Sequence, residues 1–149
     1  MPLVNTSNAS NIEFLFSGCT NLTTVPLLNT SNATKARSMF ASCSRLFSIP
    51  LLDFRKVDDT RAMFSNCISL VTVPLFDISS VTSITSMFAN CPKLSNESLN
   101  NILAMCIGAT SFAGTKTLQT LGLSQTQATT CQTLSNYQAF LDAGWTTGY

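Results

Sequence analysis

Histidine is absent from this chain and charge is scarce: Asp, Glu, Lys and Arg make up 10% of the 149 residues, with a formal net charge of +1. The first lack removes the commonest proton shuttle and activator of nucleophiles. The second removes the basic field that binding to nucleic acid requires, so no nucleic-acid partner is expected. Glycine occurs only six times, and none of these positions forms a phosphate-cradling loop. No apolar run approaches the roughly 18 residues of a membrane span, so no membrane insertion is expected. The Met-Pro-Leu start lacks a basic region followed by an apolar one, and no signal peptide is visible. The carboxylates are scattered singly except for Asp58 and Asp59, which adjacency on a helix would point apart, unlike a glycosidase pair. Neither an enzyme nor a cofactor is expected.

What the chain has is repetition. Cys19, Cys43, Cys67 and Cys91 fall 24 residues apart, and so do Phe16, Phe40, Phe64 and Phe88, then Leu22, Leu46, Leu70 and Leu94. Pro2, Pro26, Pro50 and Pro74 align, each followed by a leucine, and Asn5, Asn29, Asp53 and Asp77 form a polar column. A fixed period of this size means that each copy is one supersecondary unit that buries its apolar face only by stacking on the next.

Within a unit, Val81, Ile84, Met87, Phe88, Cys91 and Leu94 follow steps of three and four, the apolar stripe of a short helix. Ser31 and Ser79 stand where they would cap it. After the cysteine, Leu22, Val25 and Leu27 read as a brief strand, kept short by the proline. The polar column offers short side chains able to bond backbone groups of the same or a neighbouring unit. The expected fold is an α/β solenoid of leucine-rich repeats, with a short parallel strand and a short helix per repeat.

Four repeats then occupy residues 1–94, the first truncated at its start, and residues 95–149 form a mainly helical cap. Ser95 or Asn96 opens one helix, and Ser124 or Thr126 opens a last one running through Cys131, Leu134 and Tyr137 to Gly144. The terminal Trp145 and Tyr149 are expected to dock as a lid. Because the chain starts inside a unit, a piece of a longer protein is expected, with further repeats or self-association at the open N-terminal end.

The four repeat cysteines are expected as buried reduced thiols stacked on one another, while Cys106 and Cys131 lie outside the repeat and could pair. No Cys-x2-Cys exists to favour a metal site. Six Asn-x-Ser/Thr sequons arise from the Asn/Ser/Thr-rich turns of the repeat and carry little weight by themselves.

The string Met-Phe-x-x-Cys-x-x-Leu-x-x-Val-Pro-x-x-Asp, from Met63 to Asp77, recurs with Ile in place of Val from Met39 to Asp53. It resembles the surface-antigen type of leucine-rich repeat called BspA-like, with the Phe-x-x-Cys-x-x-Leu core intact in all four copies. The resemblance covers residues 1–94 and implies a non-catalytic attachment protein of a bacterial surface or of a phage. Residues 97–149 resemble the endings of repeat proteins encoded by phages of gut bacteria, which implies a virion location.

A stacked repeat binds through the columns that vary between copies. The varied columns place Arg37 beside Arg61, Lys35 nearby, Arg45 with Phe47, and Phe54 in the turn, a basic and aromatic set suited to a host-cell protein or glycan. The expected function is recognition of such a ligand. The alternative is a spacer or oligomerising element of a virion or surface with no ligand of its own.

Overall fold

A computed structural model describes residues 5–149. The aligned Pro2 and Leu3 lie outside the described residues. Four rungs, starting at Asn5, Asn29, Asp53 and Asp77, stack in order along the sequence, followed by three helices: α1 (Asn96–Gly108), α2 (Gln125–Cys131) and α3 (Tyr137–Asp142).

The rungs contain neither of the expected elements. All three helices lie beyond the repeats, and strand pairing among the described residues is limited to isolated parallel bridges. One series joins Asn11, Lys35, Asp59 and Ser83, and another joins Thr24, Ser48 and Thr72. Without a sheet and without a helix in any repeat, this is not an α/β solenoid of leucine-rich repeats. The stretch read as a strand narrows to a single bridging residue per rung, and Ser31 and Ser79 cap no helix.

Backbone hydrogen bonding explains the departure. In rung 3 the N–H groups of Thr60, Ala62, Phe64 and Asn66 donate upward to the carbonyls of Ser83, Thr85, Met87 and Ala89, at 2.8 to 3.0 Å. The N–H groups that follow Ala62, Phe64 and Asn66, those of Met63, Ser65 and Cys67, turn back to carbonyls three residues earlier at 3.1 to 3.2 Å. Rungs 1 and 2 repeat the alternation. An α-helix would commit every N–H within its own segment, whereas here half of them hold neighbouring rungs together.

The alternation needs a left-handed residue at every fourth position. Phe14, Ser38, Ala62 and Ser86 have φ of 51 to 59, and Gly18, Ser42, Asn66 and Asn90 have φ of 57 to 74. Only glycine takes this region freely, while Asn tolerates it. The three-and-four spacing still marks the inward positions, since Ala36, Met39, Phe40, Cys43 and Leu46 are all buried.

The core is a set of ladders. The rings of Phe16, Phe40, Phe64 and Phe88 stack face to face at 5.5, 5.6 and 5.4 Å between centroids. The thiols of Cys43, Cys67 and Cys91 each donate to the carbonyl of the phenylalanine one rung below, Phe16, Phe40 and Phe64, at 3.0 to 3.1 Å. Cys19 departs from the expected buried column: among the described residues no phenylalanine carbonyl accepts from its thiol, and its side chain is exposed. All six thiols are free, Cys106 and Cys131 included. The polar column acts locally, as Asn5, Asn29, Asp53 and Asp77 each accept from the backbone N–H two residues on.

Residues beyond Leu94 close one end of the stack. Ser95 caps α1 by accepting from the Ser98 N–H, and the Ser98 hydroxyl both donates to the Val71 carbonyl and accepts from the Val73 N–H, at 2.8 Å each. Ser86 and Phe88 donate to Thr120 and Leu121, so this loop takes the place of a fifth rung. Gly122, at φ 85, touches rung 4 so closely that a Cβ there would lie 2.7 Å from the Ala89 backbone. The opposite end has no such cover among the described residues: the carbonyls of Asn11, Glu13, Leu15 and Ser17, counterparts of acceptors in rungs 2 to 4, accept no backbone bond.

The single last helix expected from the sequence is two. Ser124 opens α2 with a reciprocal capping box to Gln127, and the chain breaks before α3 because Asn136 gives its backbone N–H to the Asn100 side chain of α1. Trp145 docks as expected, 1% exposed, with its ring stacked on Phe112 and tilted against Phe140, at 5.5 and 5.9 Å. Tyr149 stays half exposed while its hydroxyl bonds the Leu123 carbonyl. No helix among the described residues is long and apolar enough to cross a membrane.

Candidate functional site

The variable columns form a line of side chains on the bridge side of the rungs. Asn11, Lys35 and Asp59 carry the bridges, and Glu13, Arg37 and Arg61 follow two residues later in each rung. The two cations nearest the bridges are already engaged. The Lys35 ammonium lies 2.6 Å from the Asp58 carboxylate, and Arg61 grips Asp59 through Nε at 3.0 and 3.1 Å and Nη2 at 2.6 Å. Burial of Asp59 opposes its ionisation, but the Arg61 donors prevail and hold its carboxyl below the usual range. Asp58 and Asp59 therefore point apart, as expected, but each meets its own cation, and Asp59 is buried instead of lying on a solvated helix face.

Arg37 differs from Arg61 in having no carboxylate partner among the described residues. It is exposed, and its guanidinium carbon sits 6.0 Å from the centre of the Phe14 ring, within the range of a cation–π contact. Phe14 is 54% exposed although its backbone is in the left-handed region. Arg45 is exposed with one long contact, 3.5 Å to the Asn21 side chain, and Phe47 is 55% exposed two residues on.

Phe54 is not at the surface. It is fully buried, edge-on to Phe76 at 4.9 Å, and the rest of its column is inside too: Thr6, Thr30 and Ile78 are buried. In the lower rungs this column carries hydrogen bonds, from Thr6 Oγ1 to the Asn29 carbonyl and from the Asp53 N–H to Thr30 Oγ1. Phe54 and Ile78 fill the same interior position with apolar volume, so the column varies because its packing solution varies. Of the six proposed contacts, Arg37, Arg45 and Phe47 remain available, Lys35 and Arg61 are ion-paired, and Phe54 belongs to the core. Phe14 was missed, since its partnership with Arg37 crosses rungs.

A second feature was also missed. Leu27, Leu51 and Leu75 are 79%, 63% and 52% exposed, one on each of three successive rungs, while the adjoining Leu28, Leu52 and Phe76 are buried. The signal was the paired apolar residues after each proline, of which only one can face inward. A shallow groove of about 360 Å³ opens beside this column, lined by Leu51, Leu75, Asp53, Arg55 and Asp77 among others. Arg55 holds Asp53 with bonds of 3.0 and 2.7 Å, and those bonds draw the Asp53 carboxyl down to about 2. The Ser79 backbone N–H lowers Asp77. These carboxylates stay ionised through the neutral range and serve pairing and turn formation.

Residues 3–102 match the family described as Mycoplasma protein of unknown function, DUF285. The match spans more than half of the chain, through the four rungs and into α1, and the chain belongs to this family. No curated protein and no solved structure matches it.

Proposed function

We propose that this chain is a non-catalytic recognition module of the BspA-like kind, carried on a bacterial surface or a phage particle, that attaches to a host-cell protein or glycan. The observation that carries the reading is the pair of exposed cation and aromatic spots, Arg37 over Phe14 and Arg45 near Phe47, while Lys35 and Arg61 beside them are paired with Asp58 and Asp59. An arginine fork and an open aromatic face suit planar acceptors and sugar rings. The family match supports the repeat assignment on which the surface reading rests. The lowered carboxyls of Asp53 and Asp59 suit salt bridging to Arg55 and Arg61.

The test is binding of the labelled protein to a panel of bacterial cells. Saturable binding is expected, and the double variants Phe14→Ala/Arg37→Ala and Arg45→Ala/Phe47→Ala are expected to weaken it at least tenfold with unchanged thermal unfolding. Absence of binding to any strain, or full binding by both variants, defeats the reading. One observation favours the alternative, a structural assembly element: the exposed leucine column.

A further inference from the structure

Rungs 1 and 3 satisfy their bridge-side turn with their own side chains. In rung 3 the Asp59 Oδ1 accepts from the backbone N–H and the Nε of Arg61, both at 3.0 Å, while Oδ2 accepts from Nη2 at 2.6 Å. In rung 1 the Asn11 Oδ1 accepts from the Glu13 N–H at 2.8 Å, and the Asn11 Nδ2 holds the Glu13 carboxylate at 3.1 Å. Rung 2 has Lys35 at the equivalent position. An ammonium can only donate, and this one is turned to Asp58. The Arg37 N–H and guanidinium therefore have no acceptor among the described residues, and Arg37 is exposed.

We propose that Arg37 binds the carboxylate of an acidic sugar, one whose carboxyl group is bonded directly to a pyranose ring; this deepens the attachment reading and rests on it. The sugar's carboxylate takes at Arg37 the part that Asp59 plays at Arg61. One oxygen meets the N–H and Nε and the other meets Nη2, a bidentate pairing that only a guanidinium offers. Phe14 selects what bears the carboxylate. Its ring is 54% exposed, with the Arg37 guanidinium carbon 6.0 Å from its centre. A ring that carries its carboxyl directly can lay its C–H face on the aromatic face while the carboxylate reaches the fork. An aspartate or glutamate of a peptide brings only methylene groups to that face. The neighbouring backbone is tied from rung to rung, from the Phe14 N–H to the Arg37 carbonyl at 3.1 Å and from the Ser38 N–H to the Arg61 carbonyl at 2.9 Å. Those groups are not open to pair with a peptide strand.

The test is an NMR titration, read at the Arg37 amide, with oligosaccharides of glucuronic acid and of sialic acid and with the same compounds reduced at the carboxyl to the alcohol. At least one of the two acids is expected to bind at least tenfold more tightly than its alcohol and to shift that amide. Arg37→Lys keeps the charge but not the fork, and is expected to lose at least tenfold with an unchanged melting temperature. Lys35→Asp/Asp58→Asn rebuilds in rung 2 the internal pair of rung 3, and is expected to lose the acid-selective binding although Arg37 and Phe14 both remain. If that variant melts early, Arg37→Lys alone decides. Equal binding of acids and alcohols, equal binding of an aspartate-containing tripeptide, or undiminished binding by Arg37→Lys overturns the proposal. Cell binding that persists while acids and alcohols bind alike defeats the carboxylate site alone. Acid-selective binding without binding to any cell defeats the attachment reading alone.

Discussion

Cys43, Cys67 and Cys91 act as hydrogen-bond donors inside an apolar ladder, and burial sets their chemistry. It raises all three, Cys43 to about 11 and Cys91 to about 12. Thiolate is the reactive form, so these thiols are inert in the folded chain. A thiol reagent at neutral pH is expected to label Cys19 in the native protein and all six cysteines after unfolding in denaturant. Rapid native labelling of several thiols would contradict the ladder. Linkage gives a pH dependence with a definite sign. The unfolded thiols ionise near 9.0 while the folded ones hold their protons, so the unfolded state binds fewer protons above that pH. Their stabilising contribution is complete below pH 9 and is lost as the pH rises through about 11 and 12, readable as a falling urea midpoint. The column was legible in the sequence because a once-per-unit cysteine must stack on its own copy. The exposure of Cys19 was not, because a period marks a shared position and not how deeply each copy of it is covered.

The turn-built rung depends on left-handed residues, and the sequence fills most of those positions with residues other than glycine. Ala62, at φ 51, is held against its preference, which costs roughly 1–2 kcal/mol for an L-residue. Ala62→Gly is therefore expected to stabilise the chain by up to about 1 kcal/mol, the reverse of its effect in a helix, and Asn66→Gly to change little. Chemical denaturation of the two variants distinguishes this rung from a helical one. The three-and-four spacing revealed which side chains point inward but suggested the wrong hydrogen bonds, because overlapping turns and a helix share those inward positions. At the capped end, Gly122→Ala is expected to destabilise by more than about 1 kcal/mol, since its Cβ would strike the Ala89 backbone. The Phe88 amide, bonded to Leu121, should then exchange faster. The helical cap was readable from Ser95 and Ser124, but the break between α2 and α3 was not, because Asn100, which causes it, lies 36 residues away from Asn136.

Across the whole molecule the two ends of the stack are unequal. Rung 4 is covered by the 117–123 loop and α1, while rung 1 shows exposed Leu15 and Cys19 and only partly buries Leu22. Stability in a stacked array is a sum of nearest-neighbour terms, so amide protection is expected to rise from Phe16 through Phe40 to Phe64, each of which donates to the next rung. Equal protection of the three would show that the stack opens as one unit. Variation between copies proved an uneven guide to the surface: Arg37, Arg45 and Phe47 are exposed, but the column of Phe54 varies inside the core.

The alternating backbone bonds also restrict how such a chain can change its length. An extra residue between Ile12 and Cys19 would exchange the N–H groups that reach the next rung with those that turn back, and would rotate every inward side chain after it. One added residue thus spoils two sets of bonds at once. A whole added unit of 24 spoils none, because its carbonyls meet from below the same donors that its predecessor met and its N–H groups offer the same donors above. A gene for such a chain can therefore lengthen it by duplicating a complete unit without disturbing the bonds of the others, whereas a smaller insertion is penalised.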